Sequence, residues 1–497
     1  MKELYITDFG AVPDGVTLNT HSINNAIDRQ SNRGGGRVVI PNGTFLTGTV
    51  RLRSNITLHL EKGAVLLGSP VLKDYETGGW GHHNDITPWH LILAEDCRDI
   101  GITGTGTIRG NGYAFWESER PSAWSFYRHR NNQRVSPMVE LVRCERVLVE
   151  GIRLEDSPGW TLHCHDCDHL RVEGVSIHNT MFGPNTDGID LTGCRDAIIH
   201  GCNIETGDDA IALKTSEYSR SCECVVISDC ILRTSCVGVR IGYESRKDFR
   251  NIVITNILIP RCSRVFDLRA IEGATIEVVR ISNVIASTDS GWPVNRAIEI
   301  IALDRPSIFK NLLPPEHQDY GKDRPLIQSS RIRDVSFTGV DITTDGRIVI
   351  IGKPDCPVEG ICFSDLNLRY SLLDDPIPFA GNNTSSGFIP GDYAAARGAR
   401  AVIVAQHARS IFVEGLQVRW PTYPVGTWNL FESENRYFSS FWKGNEQQIR
   451  SGGHRVPFGI VWASDAQLYI RGARLQASEP DYPAVQADEL SRVEWRE

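Results

Sequence analysis

Apolar and polar positions alternate along most of this chain in short phrases that return at near-constant intervals. A leading residue, usually apolar, is followed by apolar residues at +3 and +5 and a turn residue at +7. The phrase reads CRDIGITG from Cys97, CERVLVEG from Cys144, CDHLRVEG from Cys167 and CRDAIIHG from Cys194. It continues as CECVVISD from Cys222, FRNIVITN from Phe249 and IEVVRISN from Ile276. From Cys144 the steps are 23, 27, 28, 27 and 27 residues, and the phrase returns at Ile332, Val358, Ala408 and Asp465. Alternation of this kind predicts one strand per phrase. A second strand recurs in each period, at Trp160, Gly188, Ala210 and Gly238. The period is too short to hold a crossover helix at every step, so the pattern predicts an all-β solenoid, a parallel β-helix. Stacked Cys, Ile, Val and Leu would fill its interior, with Asn and Asp in the bends.

A solenoid needs capped ends. The segment Asn19 to Ser31 carries apolar Ile23, Ala26 and Ile27 and predicts a short N-terminal capping helix. The expected layout is a single domain over 1–497. Residues 1–60 hold the cap and first coils, 61–370 the main coils and cleft, and 371–497 further coils with long insertions. The rhythm breaks from Gly79 to Val139, where Trp80, Trp89, Trp116, Trp124, Tyr113 and Tyr127 gather. It breaks again from Asp374 to Arg400 and in the aromatic stretch Trp420 to Trp442. Loops this long are uncommon unless functional. Their aromatics suit stacking on sugar faces, and equally suit closing the solenoid's edges.

Composition changes this picture little. With 41% hydrophobic residues and a net charge of −9, the chain has no basic tract to suggest nucleic acid, and no apolar run long enough for a membrane helix. Thirteen cysteines, mostly inside apolar phrases, fit buried reduced thiols. Cys164 and Cys167 form a CxxC without a second pair at zinc-site spacing, so no metal or other cofactor is expected. The opening residues MKELYITDFGAVPDG read as folded protein rather than a leader, which sets the expectation of a cytoplasmic location.

The chemistry concentrates between Gly183 and Lys214. The phrases TDGIDL and DDAIAL align so that Asp187 falls on Asp209, Ile189 on Ile211 and Leu191 on Leu213. Equivalent residues of neighbouring strands lie about 4.8 Å apart. Three carboxylates packed together, Asp187, Asp208 and Asp209, disfavour one another's ionisation, a cost that a surface turn does not need and acid–base chemistry does.

These residues bring a family into view. ITDFGAVPDG from Ile6, GTIRGNG from Gly106, SPGWTLH from Ser157, NTDGID from Asn185 and GDDAIALK from Gly207 resemble glycoside hydrolase family 28, the polygalacturonase-like right-handed parallel β-helices. The resemblance spans roughly residues 4 to 300. It implies inverting hydrolysis of an α-glycosidic bond in an oligosaccharide or polysaccharide, with Asp208 as the general acid and Asp187 and Asp209 activating water. For Asp208 to reach the other side of the bond, irregular backbone is expected at Gly207–Asp208, because successive strand residues face opposite ways. Nearby negative charge would keep Asp208 protonated near neutral pH.

The match fails at two places. Val237 stands where the family's Gly-His-Gly has its histidine, and Asp267 stands where its Arg-x-Lys has the arginine that grips a uronate carboxylate. Counting along the coils gives one column of His163, Asp190, Ala212, Arg240 and Asp267, and a neighbouring one of Thr192, Lys214, Gly242 and Arg269. With Asn185, the polar members of these columns are the expected substrate contacts: His163, Asp190, Lys214, Arg240, Asp267 and Arg269. The other possibility is a ladder of mutually neutralising charges. Catalysis retained with altered recognition implies a pectin-type substrate other than simple polygalacturonate, and the expected cytoplasmic location, with long loops that could wall off one end of the groove, favours exo-action on short oligosaccharides. A β-helix polysaccharide lyase and a non-catalytic carbohydrate-binding solenoid are the alternatives, and the oligomeric state is not fixed.

Overall fold

Short alternating strands bounded by tight turns have one economical way to satisfy every backbone group: each strand pairs with its counterpart one turn later. The computed structural model describes residues 3–81, 86–120, 126–130, 133–288, 296–304, 328–344, 346–370, 395–396, 399–421 and 458–496. Among them, 34 strands join in one sheet whose ladders all run parallel, coiled as a right-handed β-helix. The predicted cap is the helix Thr20–Ser31, which buries Ile23, Ala26 and Ile27 over the first coils.

The front of the helix is built from Leu162–His165, Ile189–Thr192, Ile211–Thr215, Val237–Ser245, Arg264–Ala270 and Arg296–Ala302. Their register aligns Leu162, Ile189, Ile211, Val239, Phe266 and Ile298, all fully buried in the interior. Each such side chain contributes about 1.5–3 kcal/mol by leaving water. The next residue of each strand faces outward, which puts His163, Asp190, Ala212, Arg240, Asp267 and Glu299 in one column.

Two other columns organise the turns. Cys97, Cys144, Cys167, Cys194 and Cys222 open successive coils, and the buried thiols of the first four point at carbonyls of the coil before, as in Cys167 Sγ to Leu141 O at 3.3 Å and Cys194 Sγ to Cys164 O at 3.1 Å. All thirteen cysteines are free thiols, and only Cys224 is exposed. Two residues into each of these phrases the chain turns through the left-handed region: Asp99, Arg146, His169, Asp196, Cys224, Asn251 and Val278 all have positive φ near 55°. Asn and Asp tolerate that conformation, whereas β-branched Val278 is strained there.

The first long loop packs rather than displays most of its aromatics. Trp116 is fully buried, donates its indole N–H to Pro158 O at 3.0 Å and stacks on Tyr127, while Trp80 stacks on His165 with centroids 4.3 Å apart. Tyr113 remains half-exposed. Trp124 and most of the segments 374–400 and 420–442 lie outside the described residues.

Candidate active site

The turns before two consecutive front strands are stitched together, and the stitching aims the acids. Thr186 Oγ1 donates to Gly183 O at 3.0 Å and accepts the Gly207 N–H at 3.1 Å. A Cβ on Gly207 would sit 2.3 Å from Gly183 O, so glycine is required by this close approach rather than by a left-handed φ. Gly188 N–H donates to Asp209 O at 2.9 Å, and the Ile189–Ile211 register fixes Asp187 and Asp209 at the same position of adjacent coils.

Asp208 precedes the strand in irregular backbone and is less buried than its neighbours. Its Oδ1 accepts the Asp209 N–H at 3.0 Å, and its carbonyl accepts the Thr234 hydroxyl. Burial first, and then the charge of Asp209, push its carboxyl up to about 6. Asp187 is also pushed well up, by burial and then by Asp190 and Asp208. A carboxyl raised in this way keeps its proton into the range where a general acid works. Ligand atoms of Asp208, Asp209 and Cys236 lie within 4.8 Å of one another, the one such grouping among the described residues. Asp209 is already engaged by Arg240.

The remaining expected site residues form two ion-pair systems. Lys214 Nζ lies 3.2 Å from Glu244, 3.6 Å from Asp190 and 3.8 Å from Asp187, and rests 4.4 Å above the Trp160 ring. Asp190 is fully buried with neither oxygen hydrogen-bonded, and burial pushes it well up. In the second system Arg240 holds Asp209 through both Nε and Nη2 and Asp267 through Nη1. Arg269 bonds Asp267 at 3.1 Å and Glu299 at 2.5 Å, and Arg264 approaches Asp267 at 3.7 Å and Glu299 at 3.5 Å. Burial alone would raise Asp267; Arg269, Arg240 and Arg264 outweigh it and hold its carboxyl below the usual range.

Asp267 and Arg269 are therefore sealed inside this lattice, at 0% and 2% exposure. His163 is sealed too, with its ring nitrogens 2.8 Å from Glu140 and 2.9 Å from Thr192. Asn185 is half-buried, in the left-handed region, 3.2 Å from His129 Nε2. Sequence reasoning missed Glu299, Arg264, Glu244 and Cys236. Glu299 continues the Asp267 column, and Cys236 shares the register position of Asp208 one coil on.

A parallel β-helix that gathers three aspartates on adjacent turns, one holding a proton to about pH 6, defines a class of enzyme, the β-helical glycoside hydrolases. The particular branch follows from comparison: residues 32–289, over half of the chain, match the model of glycosyl hydrolases family 28, and the chain belongs to that family. It is 26% identical over 419 residues to a probable polygalacturonase of Vitis vinifera, covering 78% of each chain. It is 27% identical over 252 residues to an exo-poly-alpha-D-galacturonosidase of Dickeya chrysanthemi, covering 42% of this chain and 41% of the relative. Among solved structures, the fold is shared with an exopolygalacturonase of Thermotoga maritima, at TM-score 0.63 and 22% identity over 84% of this chain and 92% of that one.

Proposed function

We propose that the enzyme hydrolyses an α-glycosidic bond of a pectin-type oligosaccharide by single displacement, with inversion. Asp208 acts as the general acid and donates its proton to the leaving oxygen. Asp209 and Asp187, one coil apart, hold and activate the attacking water between them. The observation that carries this reading is the pairing of a carboxyl raised to about 6 with the arginine-held carboxylate of the very next residue. An acid must arrive protonated, and burial together with the charge of Asp209 holds the Asp208 proton against the opposing pull of Arg240 and Lys214, while Arg240 bonds Asp209 directly. Asp208 and Asp209 lie closer than the usual acid-to-base gap of an inverting pair, about 6.5–9.5 Å. The anomer of the first-formed product decides whether single displacement operates across that short gap.

Recognition, in the same proposal, departs from that of a simple polygalacturonase. Each cation at the centre, Lys214, Arg240, Arg264 and Arg269, already faces at least one carboxylate, so no described cation there is left to pair with a uronate. That composition supports a neutral or differently linked sugar at the cut. It also disfavours a lyase, which needs a basic group free to take a proton. Exo-action is supported by the loop that crowds one side of the site, with Trp80 on His165 and His129 on Asn185. The catalytic and contact roles of Asp187, Asp208, Asp209, Asn185 and Lys214 belong to this proposal. We assign Asp267 and Arg269 to holding Arg240.

The test is reducing-sugar release from defined pectic oligosaccharides by wild type and Asp208→Asn, with proton NMR of the first-formed anomer. Terminal products of inverted configuration, lost in the variant, are expected. Equal turnover by the variant would sink the acid assignment. A retained anomer would sink single displacement, and internal cuts in long polymer would remove exo-action.

A further inference from the structure

Far from the three aspartates, the outer surface of another sheet carries an unneutralised pair of guanidiniums. The strands Thr275–Ser287, Arg331–Thr344, Val358–Tyr370 and Gln417–Arg419 stack there in register. Ile285, Asp341, Asn367 and Gln417 form one outward column, and Ser287, Thr343, Arg369 and Arg419 the next. Between and beside them runs a groove of about 470 Å³ lined by Asp341, Thr343, Asn367, Arg369, Gln417 and Arg419, with Ile285, 59% exposed, in its floor.

Arg369 and Arg419 are directly paired in register on adjacent coils, so their backbones lie about 4.8 Å apart. Both are exposed, and neither makes an ion pair or a hydrogen bond among the described residues. Elsewhere this solenoid repeatedly neutralises such arginines across coils: Arg109 with Glu155, Arg143 with Asp96, Arg146 with Asp99 and Arg333 with Glu277. Two like charges directly opposite one another destabilise a sheet. Arg471 also stacks on Arg496 at the end of the solenoid, so what sets the Arg369–Arg419 pair apart is the groove that it lines together with Asn367 and Gln417. Asp341, the one carboxylate among the residues that line the groove, stands in the other column, and among the described residues no ion pair joins it to either arginine.

We propose that this groove is an accessory binding site for a uronate-containing oligosaccharide, separate from the cleft where the bond is cut. Each guanidinium presents a planar fork that matches a carboxylate in two-pronged geometry. Asn367 and Gln417, stacked on the same two coils, offer amides to sugar hydroxyls, and Ile285 and Thr343 give the chain an apolar edge to lie on. Five to six coils separate these arginines from Asp209, roughly 25 Å along the axis. The site therefore anchors polymer at a distance while the ion-paired cleft takes its end. The choice of ligand rests on the pectin-type reading above, but the readout is binding, so the two fail separately.

The experiment is affinity electrophoresis through gels containing polygalacturonate, neutral galactan or polyphosphate. It compares Asp208→Asn protein with the same protein carrying Arg369→Gln and Arg419→Gln. Both arginines are exposed, and an unchanged thermal midpoint confirms that the variant is folded. Polygalacturonate is expected to retard the parent, and the arginine variant to bind at least about tenfold more weakly, with galactan having no effect on either. In an otherwise wild-type background, the arginine substitutions leave cleavage of short oligosaccharides unchanged. Equal retardation of parent and variant by polygalacturonate would overturn the site. Equal or stronger retardation of the parent by polyphosphate would overturn its assignment to a glycan.

Discussion

Replacing Asp208 by Asn is expected to remove turnover and, at neutral pH, to make the protein more stable. In the folded protein the Asp208 carboxyl keeps its proton to about pH 6, whereas in the unfolded chain it releases it near 3.9. A carboxyl raised on folding favours the folded state while it is protonated, and that advantage is lost as pH rises from about 4 through 6. For a fully enclosed group the loss would approach about 3 kcal/mol; partial exposure and screening reduce it to about 1–2 kcal/mol. Asparagine has the same shape, can still accept the Asp209 N–H and carries no charge to bury. Guanidinium unfolding of both proteins at pH 4 and pH 7.5 is the assay. The midpoints should coincide at pH 4, and the variant should lead by about 1–2 kcal/mol at pH 7.5. Wild-type kcat/KM should decline above about pH 6, about tenfold per pH unit, as the acid deprotonates. An offset that does not change with pH, or a variant weaker at both, would refute the reasoning.

Three further outcomes follow from named contacts. Arg240→Met should cost about 3–5 kcal/mol in denaturant unfolding, because it strips Asp209 of both guanidinium bonds inside the fold. Adding Asp267→Leu should recover part of that loss without restoring turnover, and a single-variant cost under about 1 kcal/mol would contradict a structural lattice. Val278→Asn should raise stability by about 1 kcal/mol, since a β-branched residue holds φ 55° there and asparagine accepts it; a lower midpoint would count against strain at that corner. Under native conditions a thiol reagent should label Cys224 rapidly and half-buried Cys362 slowly, with the others reacting only in denaturant. Rapid native labelling of Cys167 or Cys194, located by mass spectrometry, would contradict the buried thiol column.

The phrase repeat made the scaffold legible because each strand carries its own alternation and each coil its own turn. The strands begun at Cys144, Cys167 and Cys194 pair as the spacing requires, with Val147, Leu170 and Ala197 in one inward column. The capping helix and the coincidence of Asp187 with Asp209 were readable for the same reason. The limits of such counting appear in Glu299. It closes the charge lattice one coil after Asp267, but the interruption between Ser287 and Arg296 hides its phase from the sequence. Enclosure was also invisible. Alternation says which way Asp267 and His163 point, and only the tertiary arrangement shows that Arg240, Arg264 and Arg269 surround the first and Glu140 and Thr192 the second. Trp116 carried no sign that it would be packed beneath its own loop, because burial within an irregular segment depends on partners far along the chain.

The left-handed corner that recurs from Asp99 to Val278 makes one whole turn of the spool a natural unit of growth. A segment of about 27 residues spliced in or out at these corners would lengthen or shorten the thread while leaving every remaining layer in phase. Loops absorb other lengths, as the 23-residue step from Cys144 and the long interruption between Ser287 and Arg331 do, but only a whole turn adds a layer. The split of the chemistry between two neighbouring layers marks where that freedom stops: nothing can be threaded between Asp187 and Asp209. Arginine-bearing layers nearer the far end can be added or dropped, so the reach of the proposed anchor is adjustable independently of the reaction.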